Sequence, residues 1–422
     1  MTLTMLERRI LEAIDFDGLL STLADLIAIR SLDGEETPAQ EYVAAFLDRM
    51  GLDADVWELD FDVLRNHPAF SAEVERPGAL GVVGAMGEDG GGRSLILNGH
   101  VDVVPAGDEA NWHTPPWQAT LASGRVYGRG SCDMKGGLAC ALHAARAIRD
   151  AGVRLQGRLL IESVVGEEDG GAGTLAAVLR GYRADGAVVV EPTEMAIAPA
   201  QAGALSFQVT VPGLSAHGCV REEGVSAIEK FIPIHQALIA LEQARNQAAQ
   251  DPLYARYRLP YALCIGRIEA GNWASSVAER LVFRGRYGIA PGEDLEEARR
   301  QFEQAVAQAA RADPWLVDHP PAVEWWGGQF SPARIPVGHP LVETVGSAFA
   351  ETTGAPARLE GVTYGSDMRL LVNEGKTPAV LFGPGDVRRS HKPDESVPVD
   401  ELVTVTRTLA LTAVRFCGAQ QG

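Results

Sequence analysis

Cysteine, positive charge and long apolar runs are all scarce in this 422-residue sequence. The five cysteines are scattered and form no Cys-x-x-Cys pair, so they indicate neither a disulfide framework nor a thiolate zinc site. Asp and Glu outnumber Lys and Arg by 56 to 37, giving a net charge of −19 that argues against nucleic-acid binding. No apolar run approaches the ~18 residues of a membrane-spanning helix. We therefore expect neither nucleic acid nor membrane as a partner.

The length of the chain and its first residues limit the number of domains and the setting that we expect. A chain of 422 residues is too long for one ordinary core, so two domains are expected. The opening segment MTLTMLERRILEAIDFDG is charged, has a helical pattern and lacks the apolar centre of a signal peptide. Together with the unpaired cysteine pattern, this predicts a reducing, cytoplasmic setting.

Strand and helix patterns alternate between residues 94 and 190. Apolar strand patterns at 94–97, 158–165 and 187–190 are separated by helical patterns at 135–150 and 174–182. This alternation predicts an α/β fold with a mostly parallel sheet flanked by helices. In such sheets, binding sites form beyond the carboxyl ends of the strands.

The pattern changes near residue 202. Strand, helix, strand, strand, helix and strand then follow in the order of a ferredoxin-like α+β unit, ending near residue 326. Beyond it, helical patterns at 339–353, 368–373 and 401–414 surround a short strand at 379–382. We therefore predict a catalytic domain formed by residues 1–201 and 329–422, with an inserted lid domain at 202–328.

The stretch from Ser94 to Gly137 places one histidine and two carboxylates at element ends. His100 and Asp102 follow the first strand, and Asp133 lies in the glycine-rich turn YGRGSCDMKGG. Neutral imidazole and carboxylate oxygen are ligands for zinc and similar divalent ions. We expect Asp102 to accept the second N–H of His100 and so set its tautomer.

Three further carboxylates follow the next two strands. Glu167 and Glu168 come after the strand at 158–165, and Glu191 comes after the strand at 187–190. Singly, each has a plainer interpretation as a turn or surface residue. Packed together without cations, such carboxylates would have steeply raised pKa values or would open the site.

Two divalent ions would remove this conflict. Asp133, held in a tight turn, is the natural bridging ligand. His100 and Glu191 would complete one ion, and Glu168 and His391 the other. His391 lies in RRSHKPDE, a loop that follows the short strand near residue 380.

Glu167 adjoins a predicted ligand but can point elsewhere, because it lies in a loop. A carboxylate beside a metal-bound water can take its proton and return it to a leaving amine. Metal ions also lower the pKa of such a water toward about 7 and polarise a carbonyl group. These parts predict a hydrolase of amide-like bonds. Cys132 is a rival nucleophile, but no base is placed for it, and we interpret it as a small buried residue.

Six segments carry a resemblance to a known family: NGHVDVVPAG, YGRGSCDMKGG, VVGEEDGGAGT, VVEPTE, GLSAHG and FGPGDVRRSHKPDE. In them the sequence resembles the binuclear zinc deacylases and peptidases, which include acetylornithine deacetylase, succinyl-diaminopimelate desuccinylase, aminoacylase and the carboxypeptidase G type. The resemblance implies two Zn²⁺ per chain, with Co²⁺ or Mn²⁺ as substitutes, and Glu167 as general base. The zinc ligands it implies are His100, Asp133, Glu168, Glu191 and His391.

The resemblance also assigns His217, in GLSAHG, to stabilising the tetrahedral oxyanion. In dimeric family members this histidine comes from the partner's lid, so the resemblance implies a homodimer formed through the lid domain. Position alone would make His217 a residue at the tip of a hairpin.

Departures from the family pattern concern the substrate. Members that grip a substrate carboxylate often carry Asn-Val-Pro in the lid and Arg a strand later, whereas this sequence has Ser275 and Ser276 in NWASSVAER. Arg286, Ser276 and Arg369 are the candidate substrate-binding residues.

The sequence therefore predicts hydrolysis of the amide bond of a small N-acyl amino acid or N-acyl amine. The alternatives within the enzyme class are a dipeptidase or carboxypeptidase, and a deformylase of an N-formyl aminopyrimidine that lacks an α-carboxylate. A metal-binding protein without turnover is a rival of another class, but it would need no base such as Glu167.

Overall fold

The structure is a computed structural model that describes residues 3–88 and 90–419. The chain divides into two compact units. The larger unit contains the described residues up to Ala200, residues 334–360, and those from Ser366 onward, and the smaller unit contains residues 201–333 and 361–365. The predicted insertion at 202–328 lies within the smaller unit. In the described part of the chain, no helix is long and apolar enough to cross a membrane.

The first part of the larger unit alternates helices and strands. In chain order its elements are α1 (Met5–Glu12), α2 (Phe16–Ala28), α3 (Thr37–Arg49), β1 (Asp53–Glu58), α4 (Phe61–Arg65), β2 (Leu80–Met86), β3 (Leu95–His100), β4 (Thr120–Ala122), β5 (Arg125–Tyr127), α5 (Lys135–Asp150), β6 (Leu159–Val164), α6 (Ala172–Arg180), β7 (Gly186–Val189) and β8 (Ile197–Gln201). Every residue of β3, β6 and β7 is buried, as expected for strands covered on both faces.

The smaller unit is a sandwich of helices on one antiparallel sheet. Its elements are β9 (Gly203–Pro212), α7 (Ala227–Ala248), β10 (Leu263–Ala270), β11 (Arg280–Ile289), α8 (Leu295–Arg311), α9 (Pro314–Asp318) and β12 (Ala322–Phe330). The strand order is β10-β11-β9-β12. Alternate residues of β9 are buried, and Phe207 packs with Phe283 and Phe302 in the core. The predicted ferredoxin-like unit is confirmed.

The chain then completes the larger unit. The remaining elements are β13 (Ala333–Arg334), α10 (Pro340–Thr353), β14 (Leu359–Val362), β15 (Ala379–Leu381), β16 (Ser396–Pro398) and α11 (Val399–Cys417). The segment predicted as a helix at 368–373 is helical, and its residues Leu370–Glu374 form a π-helix.

The main sheet of the larger unit has the order β1-β2-β6-β3-β7-β15-β8-β13, with β14 beside β8. Its central strands β6, β3, β7 and β15 are parallel. The pairs β1–β2, β2–β6 and β15–β8 are antiparallel. The predicted sheet is therefore confirmed, with antiparallel additions on both sides of a parallel centre. The carboxyl ends of β3, β6 and β7 open at the same edge and position the candidate site.

Candidate metal centre

His100 is the last residue of β3 and is fully enclosed. The strand extends three residues beyond its predicted end, and His100 pairs with Val164 of β6. Its Nδ1 lies 3.0 Å from the backbone oxygen of Asp102. If Nδ1 carries the proton, Nε2 presents a lone pair. Among the described residues this buried Nε2 has no hydrogen-bond partner, which is the state expected of a metal ligand.

Asp102 contacts the imidazole of His100 through its main chain. Its backbone carbonyl accepts the imidazole N–H, whereas its carboxylate Oδ1 lies 3.7 Å from Nδ1, beyond hydrogen-bond distance. The other carboxylate oxygen accepts the backbone N–H of Glu168 at 3.0 Å. Asp102 therefore orients the imidazole through its main chain and the Glu168 loop through its side chain.

Asp133 presents its two oxygens to two different histidines. Oδ1 lies 3.4 Å from Nε2 of His100, and Oδ2 lies 3.4 Å from Nε2 of His391. The turn that carries Asp133 is held by Glu395, whose Oε1 accepts the backbone N–H groups of Cys132 and Asp133 at 2.9 and 3.0 Å. One carboxylate facing two imidazoles is the arrangement that a bridging ligand would adopt.

His391 completes the far side of the cluster. Its Nε2 lies 3.0 Å from Oε1 of Glu168. The residue has a φ of +57°, a left-handed conformation that is uncommon outside glycine. The loop thus turns sharply to aim this half-exposed side chain at Glu168 and Asp133.

Glu167 and Glu191 face Nε2 of His100 at 4.0 and 3.9 Å. Burial, together with the charge of Glu191, raises the pKa of Glu167 well above its ordinary value. Burial, together with the charge of Asp133, raises the pKa of Glu191 in the same way. Oε1 of Glu167 is buried and has no hydrogen-bond partner in the described part of the chain. Unlike a surface Glu-Glu pair, these side chains lie inside the protein.

Additional positive charge would stabilise the carboxylates of this cluster. Burial raises the pKa of Glu168, whereas burial of Asp133 is outweighed by its contacts with His100 and His391, which lower its pKa. Burial would lower the pKa of His100, but the surrounding carboxylates, Asp102 first, raise it well above its ordinary value. Divalent cations bound among these carboxylates would offset their mutual repulsion.

The donor set fits such cations. Ligand atoms lie within 4.8 Å of one another in two groups: His100 with Asp133 and Glu168, and His100 with Glu167 and Glu191. Imidazole nitrogen and carboxylate oxygen suit zinc and comparable divalent ions. Glu167 approaches His100 as closely as a ligand would, so geometry alone does not separate a base from a ligand here.

Arg369, a predicted substrate-binding residue, lies enclosed among backbone carbonyl groups. It is 2% exposed, and its Nη2 donates to the backbone oxygen of Gly170 at 2.6 Å. Its Nη1 lies 3.4 Å from the backbone oxygen of Ala69. The guanidinium therefore contacts the loop after Glu168, and its predicted contact with a substrate remains a prediction.

The remaining candidates lie in the smaller unit. His217 is exposed, and its Nδ1 accepts the backbone N–H of Cys219 at 3.2 Å. A β-bridge pairs His217 with Ser276, so two residues chosen independently from the sequence are neighbours. Arg286, on β11, donates to the backbone oxygen of Thr363 at 3.2 Å. Their predicted contacts with a substrate remain predictions.

Comparison with known families decides the class of the protein. Residues 96–415 match the model of Peptidase family M20/M25/M40. The chain belongs to this family. It is therefore a metal-dependent hydrolase that acts on carbon–nitrogen bonds.

Two curated relatives of this M20 family member have named activities. The chain is 32% identical over 399 residues to the N-formyl-4-amino-5-aminomethyl-2-methylpyrimidine deformylase of Halalkalibacterium halodurans, covering 90% of this chain and 89% of that protein. It is 29% identical over 410 residues to the acetylornithine deacetylase of Myxococcus xanthus, covering 96% and 98%. Among solved structures, the dipeptidase Dug1p of Saccharomyces cerevisiae matches with a TM-score of 0.76 at 13% identity, covering 98% and 99%, which shows the shared fold.

Several residues beneath the site of this family member were missed by sequence reasoning. Asn98, on β3, donates to Glu162 at 3.1 Å and to Thr174 at 3.0 Å. The Thr174 hydroxyl in turn donates to Asp367 at 2.6 Å. Asn98 and Glu162 interrupt strands that are otherwise apolar, which was the available signal. Their partner Asp367 is remote in sequence, so the network was not predictable.

Proposed function

We propose that this M20 family member is a zinc-dependent deformylase, or a deacylase of short acyl groups, that releases a small amine without an α-carboxylate. The observation that carries the proposal is the 32% identity, over 90% of the chain, to a formylaminopyrimidine deformylase. Of the expectations drawn from the sequence, this relative favours the deformylase of an N-formyl aminopyrimidine over the hydrolase of an N-acyl amino acid.

The chain's own residues support a substrate without an α-carboxylate. The lid carries Ser275 and Ser276 where carboxylate-binding relatives often carry Asn, and Arg369 is engaged with the carbonyl groups of Gly170 and Ala69. Guanidinium groups bind carboxylates through free, parallel N–H donors. Because Nη1 and Nη2 of Arg369 already contact carbonyl groups, Arg286 is the candidate cation in this proposal.

The proposed ligand set uses the cluster as it stands. Asp133 would bridge two zinc ions, His100 and Glu191 would complete one site, and Glu168 and His391 would complete the other. When bound, zinc ions would neutralise the carboxylates, polarise the substrate carbonyl and make water more acidic. Asp102 keeps Nδ1 of His100 engaged, so that Nε2 faces the ligand site.

Glu167 is the proposed general base. It takes a proton from the attacking water and returns it to the leaving amine nitrogen as the carbon–nitrogen bond breaks. Burial, together with the charge of Glu191, raises the pKa of Glu167 and so makes it a stronger proton acceptor. The carbonyl carbon leaves as formate, or as the short acid, and the amine leaves protonated.

His217 is the proposed oxyanion donor, and a homodimer through the smaller unit is the proposed assembly. The imidazole is exposed at the start of a short helical turn, and its Nδ1 is already engaged with Cys219. Nε2 therefore remains to donate to a developing negative charge on another molecule. In this proposal the acceptor lies in the site of the partner copy.

A second candidate is deacylation of an N-acyl amino acid. The 29% identity to an acetylornithine deacetylase over nearly the whole chain favours it. In that case Arg286 would contact the substrate carboxylate.

A substrate panel separates these candidates. Zinc-loaded protein would be assayed for free amine with N-formyl and N-acetyl aminomethylpyrimidine, N-acetylornithine and dipeptides. We expect kcat/KM for the N-formyl aminopyrimidine to exceed each other value by at least about tenfold. A preference for N-acetylornithine that is lost in R286M would overturn the proposal in favour of the second candidate. Glu167→Gln protein supplies the background rate.

A further inference from the structure

Arg76 lies fully buried in the irregular segment between α4 and β2 and contacts three carboxylates. Its Nε donates to Glu36 at 2.8 Å, its Nη1 to Asp169 at 2.9 Å, and its Nη2 to Asp33 at 3.1 Å. Neither the sequence motifs nor the proposed chemistry uses this arginine. Removing a cation and its acidic partners from water costs free energy, so the buried position of Arg76 needs an explanation.

Asp169 connects Arg76 to the candidate centre. It follows Glu168 directly, and its Oδ2 accepts the backbone N–H groups of Glu73 and Val74 at 3.2 and 3.0 Å in addition to the guanidinium of Arg76. One carboxylate oxygen therefore ties the segment 73–76 to the residue beside Glu168.

The loop at 166–171 is a closed turn against this segment. The N–H of Gly170 donates to the carbonyl of Glu167 at 3.1 Å, and the N–H of Gly171 donates to that of Gly166 at 2.5 Å. A Cβ on Gly166 would lie 3.0 Å from Nη2 of Arg76, so the guanidinium lies directly against the turn. The turn that carries Glu167 and Glu168 thus has little room to move on the side of Arg76.

We propose that Arg76 is a positioning residue for Glu167 and Glu168, acting through Asp169. The inference rests on the proposed roles of the two glutamates. Removal of the guanidinium would leave Asp169 buried without a counter-charge, and the turn would shift to expose its carboxylate to water. A displacement of about 1 Å at a catalytic group is enough to cost roughly 100-fold in rate.

The charge environment supports this role on the same side of the site. Burial, with the charges of Asp102 and Asp169, raises the pKa of Asp33 to about 7. The cluster around Arg76 is therefore electrostatically continuous with Asp102, whose side chain accepts the N–H of Glu168. Arg76 offsets negative charge behind the turn without being a ligand itself.

The test uses the full-length chain with Arg76→Met, Arg76→Lys, Asp169→Asn, the double variant R76M/D169N, and Arg415→Met. Arg415 is the matched control, because it forms a largely buried 2.7 Å pair with Glu7 on α1. Three quantities would be measured for each variant: zinc affinity by competition with a chelating indicator, kcat and KM on the best substrate of the panel, and the thermal unfolding midpoint.

We expect R76M to lose roughly 10- to 100-fold in kcat and in zinc affinity, with KM changed by less than about threefold. R76K should recover part of the loss, since one ammonium group can reach Asp169 but cannot serve three carboxylates. D169N should resemble R76M, and the double variant should be no worse than R76M, because both changes break one linkage. R415M should lower only the unfolding midpoint.

The proposal would be overturned if folded R76M kept kcat and zinc affinity within about twofold of the parent while its unfolding midpoint fell as in R415M. If R76M did not fold, D169N would provide the test. Normal zinc affinity in D169N would overturn the proposal that Arg76 acts through Asp169. Zinc affinity needs no substrate. Failure of the proposed deformylase activity would therefore leave this test intact, and the two failures are distinguishable.

Discussion

Nε2 of His391 lies 3.0 Å from Oε1 of Glu168, although 223 residues separate them in the chain. Burial by itself would lower the pKa of His391, but its hydrogen bonds to Asp133 and Glu168 outweigh burial and raise the pKa to about 11. Without metal, the imidazole is therefore protonated at neutral pH. A protonated imidazole cannot bind zinc, which links metal uptake to proton release.

Zinc affinity is accordingly expected to rise with pH. Between about pH 6 and pH 8, the apparent affinity should increase by up to about tenfold per pH unit for each proton displaced. Calorimetric titration in buffers of different ionisation enthalpy would count the protons. His391→Asn should release fewer protons than the parent. A zinc affinity that does not change with pH would contradict the assignment of His391 as a ligand.

Glu167→Gln should abolish most of the turnover, with a loss of roughly 10²- to 10⁴-fold, because the amide cannot accept a proton. Zinc content should stay at two per chain. Glu162→Gln is the matched control, since burial raises the pKa of Glu162 to about 7 and glutamine resembles its protonated form. Unchanged turnover in E167Q would remove Glu167 from the mechanism. A loss of one zinc would instead make it a ligand, as its distance from His100 allows.

His143 should make the protein less stable in acid. Its Nε2 lies 2.9 Å from the hydroxyl of Thr22, and burial, aided by the charge of Arg146, lowers its pKa to about 4. Because the unfolded chain takes up the proton near pH 6.5 and the folded protein only near pH 4, stability falls as pH decreases through that window. The slope contributed by this group is at most about 1.4 kcal/mol per pH unit.

Urea unfolding of the parent and of His143→Asn at several pH values would measure this slope. The free energy of unfolding of the variant should decline less between about pH 6.5 and pH 5 than that of the parent. If the free energy of unfolding declined equally in the parent and the variant over this pH range, His143 would not be the group that lowers stability there.

The proposed contribution of His217 to a partner's site predicts complementation. Glu167→Gln and His217→Ala should each be nearly inactive alone. If the two are mixed and allowed to exchange subunits, heterodimers should regain one working site each, or about one quarter of the parent activity at statistical mixing. If a sample shown to contain mixed dimers is no more active than the separate variants, His217 does not act in the site of the partner copy.

Much of the fold was predictable, because it depends on local periodicity. The apolar runs that became β3, β6 and β7 locate the strand ends, and parallel strands bring those ends to one edge. His100 and Glu191 therefore came together in the structure as their positions indicated. The helix predicted at 368–373 was found, but apolar spacing did not reveal that Leu370–Glu374 would be a π-helix.

Contacts made through irregular segments were not predictable. The Asp102 contact runs through a backbone carbonyl rather than the carboxylate, a choice that depends on the path of the chain after β3. Arg369 was predicted from the sequence as a substrate-binding residue, but its contact with the carbonyl of Gly170 could not be predicted. Arg76 lies in no recognisable sequence motif. Its role depends on its contact with Asp169, which is 93 residues away in the chain.

By itself the sequence determined the alternation of elements, the residue types available at the strand ends and the family, since these follow from local spacing and from motifs in order. Tertiary structure decided which atoms face one another. The two oxygens of Asp133 face two different imidazoles, and one oxygen of Asp169 contacts Arg76. The physical reason is that a side chain's charge state and direction depend on neighbours supplied by remote, irregular parts of the chain, which no periodic pattern encodes.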